Sequence, residues 1–173
     1  MGTGIIVCGL NGTGKSTLSK ALAETLNAAF IDNEDLYFPK TDPNYLYAHP
    51  RTREEVKKLL FREMSKHKLF VFASVIGDYG KALHPFLNYA VCIEVPKEFR
   101  IQRVKNRSFL KFGSRMLAGG DLYEQEERFF DYVASRDENT VKDWIRGLPC
   151  PVIRVDGTKP VTENIALIQS RMI

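Results

Sequence analysis

The sequence predicts an α/β fold, a three-layer α/β/α sandwich built on a five-stranded parallel sheet. Three observations carry that expectation. Short apolar, β-branched runs alternate with longer segments of helical periodicity, the pattern of strands joined by crossover helices. The first run leads directly into a glycine-rich turn and then a helix-forming segment. Apolar residues make up 44% and charged residues 27% of 173, a composition and length suited to one globular domain, placed at 1–173.

The elements follow in chain order. Thr3 to Cys8 (TGIIVC) reads as a short buried strand. Ser16 to Asn27 (STLSKALAETLN) reads as a helix, with Leu18, Ala21, Leu22 and Leu26 at helical spacing. Ala28 to Asp32 is a second strand that ends in acids. Arg53 to His67 is an amphipathic helix with Val56, Leu59, Leu60 and Met64 on one face. Leu69 to Val75 (LFVFASV), Ala90 to Val95 and Pro151 to Val155 complete the strands, and Val161 to Met172 is the terminal helix. Tyr123 to Arg136 reads as a further amphipathic helix, and Trp144 with Val141, Ile145 and Leu148 packs another against the core. Two stretches break the alternation. Tyr37 to Arg51 carries three prolines and three tyrosines, and Ser108 to Asp121 is glycine-rich and basic. Loops of this length often bind or cover ligands.

Between the first strand and helix lies Gly9 to Thr17, GLNGTGKST. Its spacing, G-x-x-x-x-G-K-S, is the phosphate-binding P-loop or Walker A motif, here in the strand–loop–helix setting that the motif requires. The glycines allow a curl that turns successive N–H groups inward on an anion at a helix N-terminus. Asn11, Gly12, Thr13, Gly14, Lys15, Ser16 and Thr17 are therefore the expected nucleotide cradle. Lys15 is placed to reach the β- and γ-phosphates, and Ser16 to ligate magnesium. A P-loop NTPase fold is the result.

Other classes lose ground. No apolar stretch approaches the roughly 20 residues that span a bilayer, and no leader is visible, so a cytoplasmic, membrane-free protein is expected. The net charge of +4 comes without a basic run or an interleaved aromatic stripe, which makes nucleic acid an unlikely partner. Cys8, Cys92 and Cys150 are far apart and read as reduced thiols, neither a disulfide framework nor a metal site. His49, His67 and His84 show no ligand spacing. A GTPase switch would need N-K-x-D and D-x-x-G in usable context, and neither is found. A mechanical ATPase would need paired acids closing an apolar strand, whereas FVFASV runs into Ile76, Gly77 and Asp78.

With these residues in place, the chain resembles the adenylate kinase-like family of small P-loop kinases, which includes nucleoside monophosphate, shikimate and gluconate kinases. The resemblance implies the strand order 2-3-1-4-5, ATP with Mg2+, and transfer of the γ-phosphoryl group to a small metabolite or nucleotide. VPKEFRIQRVKNR (Val95 to Arg107) is similar to the family segment that leads into the lid, which implies that Arg103 and Arg107 bind ATP phosphates or stack on adenine. VDGTKPVTENI (Val155 to Ile165) is similar to the family's turn between the last strand and last helix, which implies that Gly157, Thr158 and Lys159 line the adenine pocket. An acceptor-binding insertion is implied at about 37–67 and a lid at about 107–121.

The acids after the second strand fit the family in two registers. Asp32 and Glu34 match a D-x-D-like pair, with one acid near magnesium and one on an acceptor hydroxyl. Glu34, Asp35, Leu36 and Tyr37 echo a D-D-F-Y-like run. Both remain open. Lys15, Asp32, Glu34, Asp35 and Arg107 are the candidate catalytic residues, Ser16 and Asp32 the candidate metal-side residues, and Asp32, Tyr37, Arg51, Arg53 and Asp78 the candidate acceptor-side residues. Arg128 or Arg136 is a further candidate source of positive charge for the transferring group, and Arg115 lies in the lid. Nucleoside monophosphate kinases usually show a D-G-F-P-R-like sequence after the third strand. Here Ser74 stands near the Asp and no arginine follows, so Asp78 is the candidate replacement. The alternative to a kinase is a nucleotide-binding regulator that uses no small acceptor. The sequence names neither the acceptor nor the oligomeric state.

Replacing the loop lysine isolates the donor half. Lys15→Ala is expected to abolish triphosphate binding or turnover while the protein stays folded, as read by nucleotide titration beside circular dichroism.

Overall fold

A computed structural model describes residues 3–173. Its five strands form one parallel sheet in the order β2-β3-β1-β4-β5. These strands are β1 (Thr3–Cys8), β2 (Ala29–Asp32), β3 (Leu69–Ser74), β4 (Leu87–Glu94) and β5 (Val152–Asp156). The helices are α1 (Lys15–Leu26), α2 (Asn33–Tyr37), α3 (Arg53–Lys66), α4 (Lys97–Phe112), α5 (Tyr123–Ser135), α6 (Asn139–Arg146) and α7 (Val161–Arg171). The order is the one expected from the resemblance.

Alternation of side chains along each strand produces the layers. Ile5 and Val7 of β1, Val71 of β3, and Val91 and Ile93 of β4 point to one face, where Leu18 and Leu22 of α1 and Ile168 of α7 cover them. Ile6 of β1 with Phe70 and Phe72 of β3 point the other way, onto Val56, Leu60 and Met64 of α3. On that same side Cys8 and Cys92 meet Val141 and Ile145 of α6. Central strands buried on both faces must be apolar at every position, which is why β1 and β3 read as continuous hydrophobic runs.

β1 lies between β3 and β4, so the chain crosses from one side of the sheet to the other at its C-terminal end. In open α/β sheets that position leaves a crevice for ligands. α3 is fixed at its start by a capping box, in which Thr52 and Glu55 satisfy each other's backbone N–H groups. Between α2 and α3 the irregular stretch is pinched shut by the Arg51 amide, which donates to the Tyr37 carbonyl at 2.7 Å.

The largest departure from the sequence reading is at the basic stretch. The sequence reading sets Ser108 to Asp121 apart as a loop, but α4 continues to Phe112, and a 3-10 turn then spans Gly113–Met116. Buried positions explain the extension: Arg100, Val104, Ser108 and Phe112 form one stripe at four-residue spacing, and the basic residues between them stay on the water side. Arg100 is the unusual member, a fully buried guanidinium.

Phe72 is completely buried between the sheet and α3. Phe72→Ala is expected to cost about 3–5 kcal/mol of stability, read from the urea midpoint at unchanged m-value.

Candidate functional site

The site begins at the end of β1. Gly14 caps α1 in the left-handed region (φ 89°, ψ 22°), a conformation that favours glycine, and a Cβ there would project into open space. Gly12 is also left-handed (φ 83°), and a Cβ on it would come within 2.3 Å of the Arg100 carbonyl oxygen. The loop therefore has one glycine facing an empty cradle and another pressed against α4. Arg100 fixes the loop from behind: its guanidinium donates to the Asn11 carbonyl at 3.2 Å and pairs with Glu138. Arg136 donates to the Asn11 side-chain oxygen at 3.2 Å.

A cavity of about 480 Å3 opens in front of this loop. Asn11, Gly12, Gly14, Lys15, Ser16 and Thr17 form one wall, and Asp32, Asn33, Glu34 and Ser74 the next. Arg107, Lys111 and Arg136 bring positive charge across the opening. Lys15 is partly buried, and its ammonium donates to the Leu10 carbonyl at 3.1 Å. Burial, followed by the charges of Arg107 and Arg136, pulls its pKa down to about 8 against the opposing pull of Asp32. A cation so destabilised is ready for an anionic partner.

Asp32 is made for two jobs at once. Its side chain accepts from the Glu34 amide at 2.9 Å and so caps α2, and the neighbouring Ser16 hydroxyl favours its charged form. Burial raises its pKa, Ser16 and the Glu34 amide hold it down, and the nearby charges of Glu34 and Asp35 push it up again. The acid run thus divides. Asp32 and Glu34 line the cavity, while Asp35 lies outside it, where it and Glu34 pair with Lys40 at 2.7 and 3.1 Å.

The other sequence-derived candidates divide in the same way. Tyr37, Arg107 and Arg136 line the cavity. Thr13 is buried, its hydroxyl donating to the Leu10 carbonyl at 2.9 Å, and it borders a separate hollow of about 210 Å3 behind the loop. Arg103 lies beside the loop and donates to the carbonyls of Gly12 at 3.4 Å and Gly157 at 3.0 Å. Thr158 donates its amide and hydroxyl to the Asp156 carboxylate and Lys159 pairs with Glu163 at 2.7 Å; neither lines the cavity. Arg51 donates to the Leu36 carbonyl at 2.8 Å, and Arg53 pairs with Asp78 at 3.1 Å; all three lie outside the cavity. Arg115 holds Asp121 at 2.7 Å and the Asn44 carbonyl at 2.8 Å, and Arg128 is exposed on α5, also outside the cavity.

Sequence reasoning pointed to the aromatics of the Tyr37 to Arg51 stretch as acceptor-side surface but missed the α5 half of the opposite wall. Phe38, Tyr45 and Tyr47 from the irregular stretch meet Gln125, Glu126, Phe129 and Tyr132 of α5 there. One signal was available. Glu126 lies four residues after Leu122 and four before Phe130, so the stripe that buries Phe130 and Val133 also buries a carboxylate. The tyrosines gave no such signal, because a loop has no period.

The family model described as AAA domain matches residues 5–109, from β1 through most of α4. The chain belongs to the AAA domain family. The matched part of this AAA domain contains the P-loop, Asp32 and Arg107, while α5 with Glu126 lies beyond it. The uncharacterized protein YqaC of Bacillus subtilis (strain 168) is 25% identical over 169 residues, covering 93% of this chain and 92% of that protein. Among solved structures, a gluconokinase from Sinorhizobium meliloti 1021 superimposes with a TM-score of 0.56 at 16% identity, over 98% of this chain and 90% of that one. A shikimate kinase from Aquifex aeolicus vf5 gives 0.55 at 18%, over 97% and 95%. Both are small P-loop kinases, and this AAA domain has their fold. Among the described residues no helix is long and apolar enough to cross a membrane.

The depressed pKa of Lys15 has a measurable result. A bound polyphosphate raises that pKa, so binding takes up protons at pH values above about 8, where the free lysine is largely neutral, and takes up few below about pH 7. Calorimetry of ATP binding at pH 8.5 in buffers of different ionisation enthalpy is expected to show this uptake, and Lys15→Met to remove it.

Proposed function

We propose that this chain is an ATP-dependent kinase that transfers the γ-phosphoryl group to the hydroxyl of a small metabolite or nucleotide. One observation carries the reading: the P-loop lysine and a hydrogen-bonded carboxylate, Lys15 and Asp32, face the same cavity, and Arg107 and Arg136 flank it. Lys15 and the first-turn N–H groups of α1 receive the β- and γ-phosphates. Asp32 orients the acceptor hydroxyl and takes its proton as the acceptor oxygen bonds to the γ-phosphorus and the bond to the β,γ-bridging oxygen breaks, releasing ADP. Arg107 and Arg136 stabilise charge on the moving group. Transfer to a phosphate acceptor would need no such base. It would need arginines, and Arg51 and Arg53 are turned to other partners outside the cavity.

The donor set fits magnesium. The Ser16 hydroxyl and the Asp32 carboxylate are adjacent hard oxygen ligands. Among the described residues no group of three or more His, Cys, Asp or Glu forms a cage. Mg2+ keeps most of its waters and takes few protein ligands, so this sparse set suits it. When bound, the ion supplies charge neutralisation at the β- and γ-oxygens. Ser16 and Asp32 would hold it. Arg103, which bridges the P-loop to Gly157, supplies a flat cation for the adenine side together with Thr158 and Lys159.

The likeness to gluconokinase and shikimate kinase supports a small-molecule acceptor, and the cavity volume allows one. The test is ADP release in the presence and absence of a panel of metabolite and nucleoside acceptors. Acceptor-dependent release supports the kinase, and slow release indifferent to every acceptor overturns it. Asp32→Asn is expected to lower turnover by at least a hundredfold while ATP affinity changes less than threefold. Equal loss of both would remove Asp32 from the acceptor side.

A further inference from the structure

The wall opposite the P-loop has a chemistry that the donor half does not use. Glu126 is 1% exposed, yet it lines the cavity. Its Oε1 accepts a hydrogen bond from the Tyr45 hydroxyl at 3.3 Å, and its Oε2 has no donor at all. Among the described residues it has no ion-pair partner. Burying a carboxylate without donors is costly, and native structures rarely leave such an oxygen empty. Around it the wall is aromatic. Phe38 and Tyr47 meet edge to face with centroids 5.1 Å apart and Tyr45 and Tyr47 at 5.6 Å, and Phe129 and Tyr132 of α5 line the cavity beside them.

Charge is distributed unevenly across the cavity. Lys15, Arg107 and Arg136 lie close enough to feel one another at the P-loop end. At the aromatic end the lining cations are already engaged: the Lys111 ammonium with the Tyr47 hydroxyl and ring, and Arg136, 5.2 Å from the centroid of the Tyr132 ring, with the Asn11 side-chain oxygen. A polyhydroxy acid would find there no uncommitted cation for its carboxylate, and rings where its hydroxyls need a continuous polar wall. A flat ring would find aromatic faces, and an amino group on its edge would find the Glu126 carboxylate, whose Oε2 has no donor. Aromatic side chains bind bases by stacking, and a carboxylate accepts from an exocyclic amine.

We propose that Glu126 is the specificity-determining residue for the acceptor, and that the acceptor is an uncharged heteroaromatic alcohol with N–H donors on its ring edge, which in chemical class is a nucleoside bearing an amino group. Its ring lies against Tyr45, Tyr47, Phe129 and Tyr132, its edge donates to Glu126, and its hydroxyl points back toward Asp32. The assignment rests on the kinase reading for the hydroxyl and on the aromatic wall alone for the ring.

Binding and turnover separate the two. Guanosine, adenosine, cytidine, uridine, guanosine 5′-monophosphate and gluconate are titrated into the wild-type protein without ATP, followed by tyrosine and Trp144 fluorescence or calorimetry. At least one of the three amino nucleosides is expected to bind at least tenfold more tightly than uridine, the monophosphate and gluconate. Tighter binding of the monophosphate or of gluconate, or no preference for an amino group, overturns the proposal. Glu126→Gln keeps the shape and removes the charge, so it is expected to raise the KM of the preferred nucleoside at least tenfold while the KM for ATP stays within twofold. A merely structural Glu126 would shift the melting temperature and leave that ratio alone, and an unchanged ratio overturns the assignment. If the variant does not fold, the wild-type panel still decides. Failure of ATP to bind, with nucleoside binding intact, defeats the kinase reading and leaves this one standing.

Discussion

The site depends on one buried arginine. Arg100 lies on the inward stripe of α4, where an apolar residue would serve packing better, and gives its guanidinium to the Asn11 carbonyl and to Glu138. A charge taken out of water needs such partners, and the cost of burial is met only when the geometry is good. The same residue presents its backbone carbonyl to Gly12 so closely that no side chain fits between them. The P-loop is therefore clamped between its own strand and α4, with Asn11 as the link. The front of Asn11 receives Arg136 and its back receives Arg100. A loop whose N–H groups must stay pointed at an anion gains from being fixed before the anion arrives.

From that clamp the charges of the cavity follow. The charges of Arg107 and Arg136 act against that of Lys15 over the loop, and Asp32 offsets them in part. Positive charge is thus gathered in a partly buried place, where a polyphosphate is favoured. Asp32 sits at the join of the two halves, beside Ser16 of the loop and hydrogen-bonded to the start of α2. Its position follows from strand length: β2 ends at Asp32, beside Ala73 of β3, close to where β1 releases the P-loop.

What could be read from sequence followed the distinction between local and assembled structure. β1, the P-loop and α1 are contiguous, and their meaning is carried by spacing alone. The sheet's two-faced strands announce themselves as unbroken apolar runs. Arg107 was legible as a basic residue on a helix, but its convergence with Arg136 and Lys15 required three elements to meet. Ser108 to Phe112 looked like loop because serine, lysine and exposed phenylalanine mask a helical stripe that only Arg100 and Val104 complete. Arg51, Arg53 and Asp78 were chosen for charge near an expected pocket, and the fold turns them toward each other and toward backbone carbonyls. Glu126 was legible in principle, as a carboxylate on a hydrophobic stripe. The tyrosine-bearing loop was legible as a binding loop, but its meeting with α5 was not, because Tyr45 and Tyr47 reach the wall only through the pinched stretch between α2 and α3.

That pinched loop is fastened to the stretch beyond α4 at several points: Arg115 to the Asn44 carbonyl, Lys111 to Tyr47, Tyr45 to Glu126, and the Tyr45 ring to Phe112 at 5.6 Å. The two segments therefore share one rim: displacing either would break contacts made by the other, so the rim resists deformation as a unit rather than piece by piece.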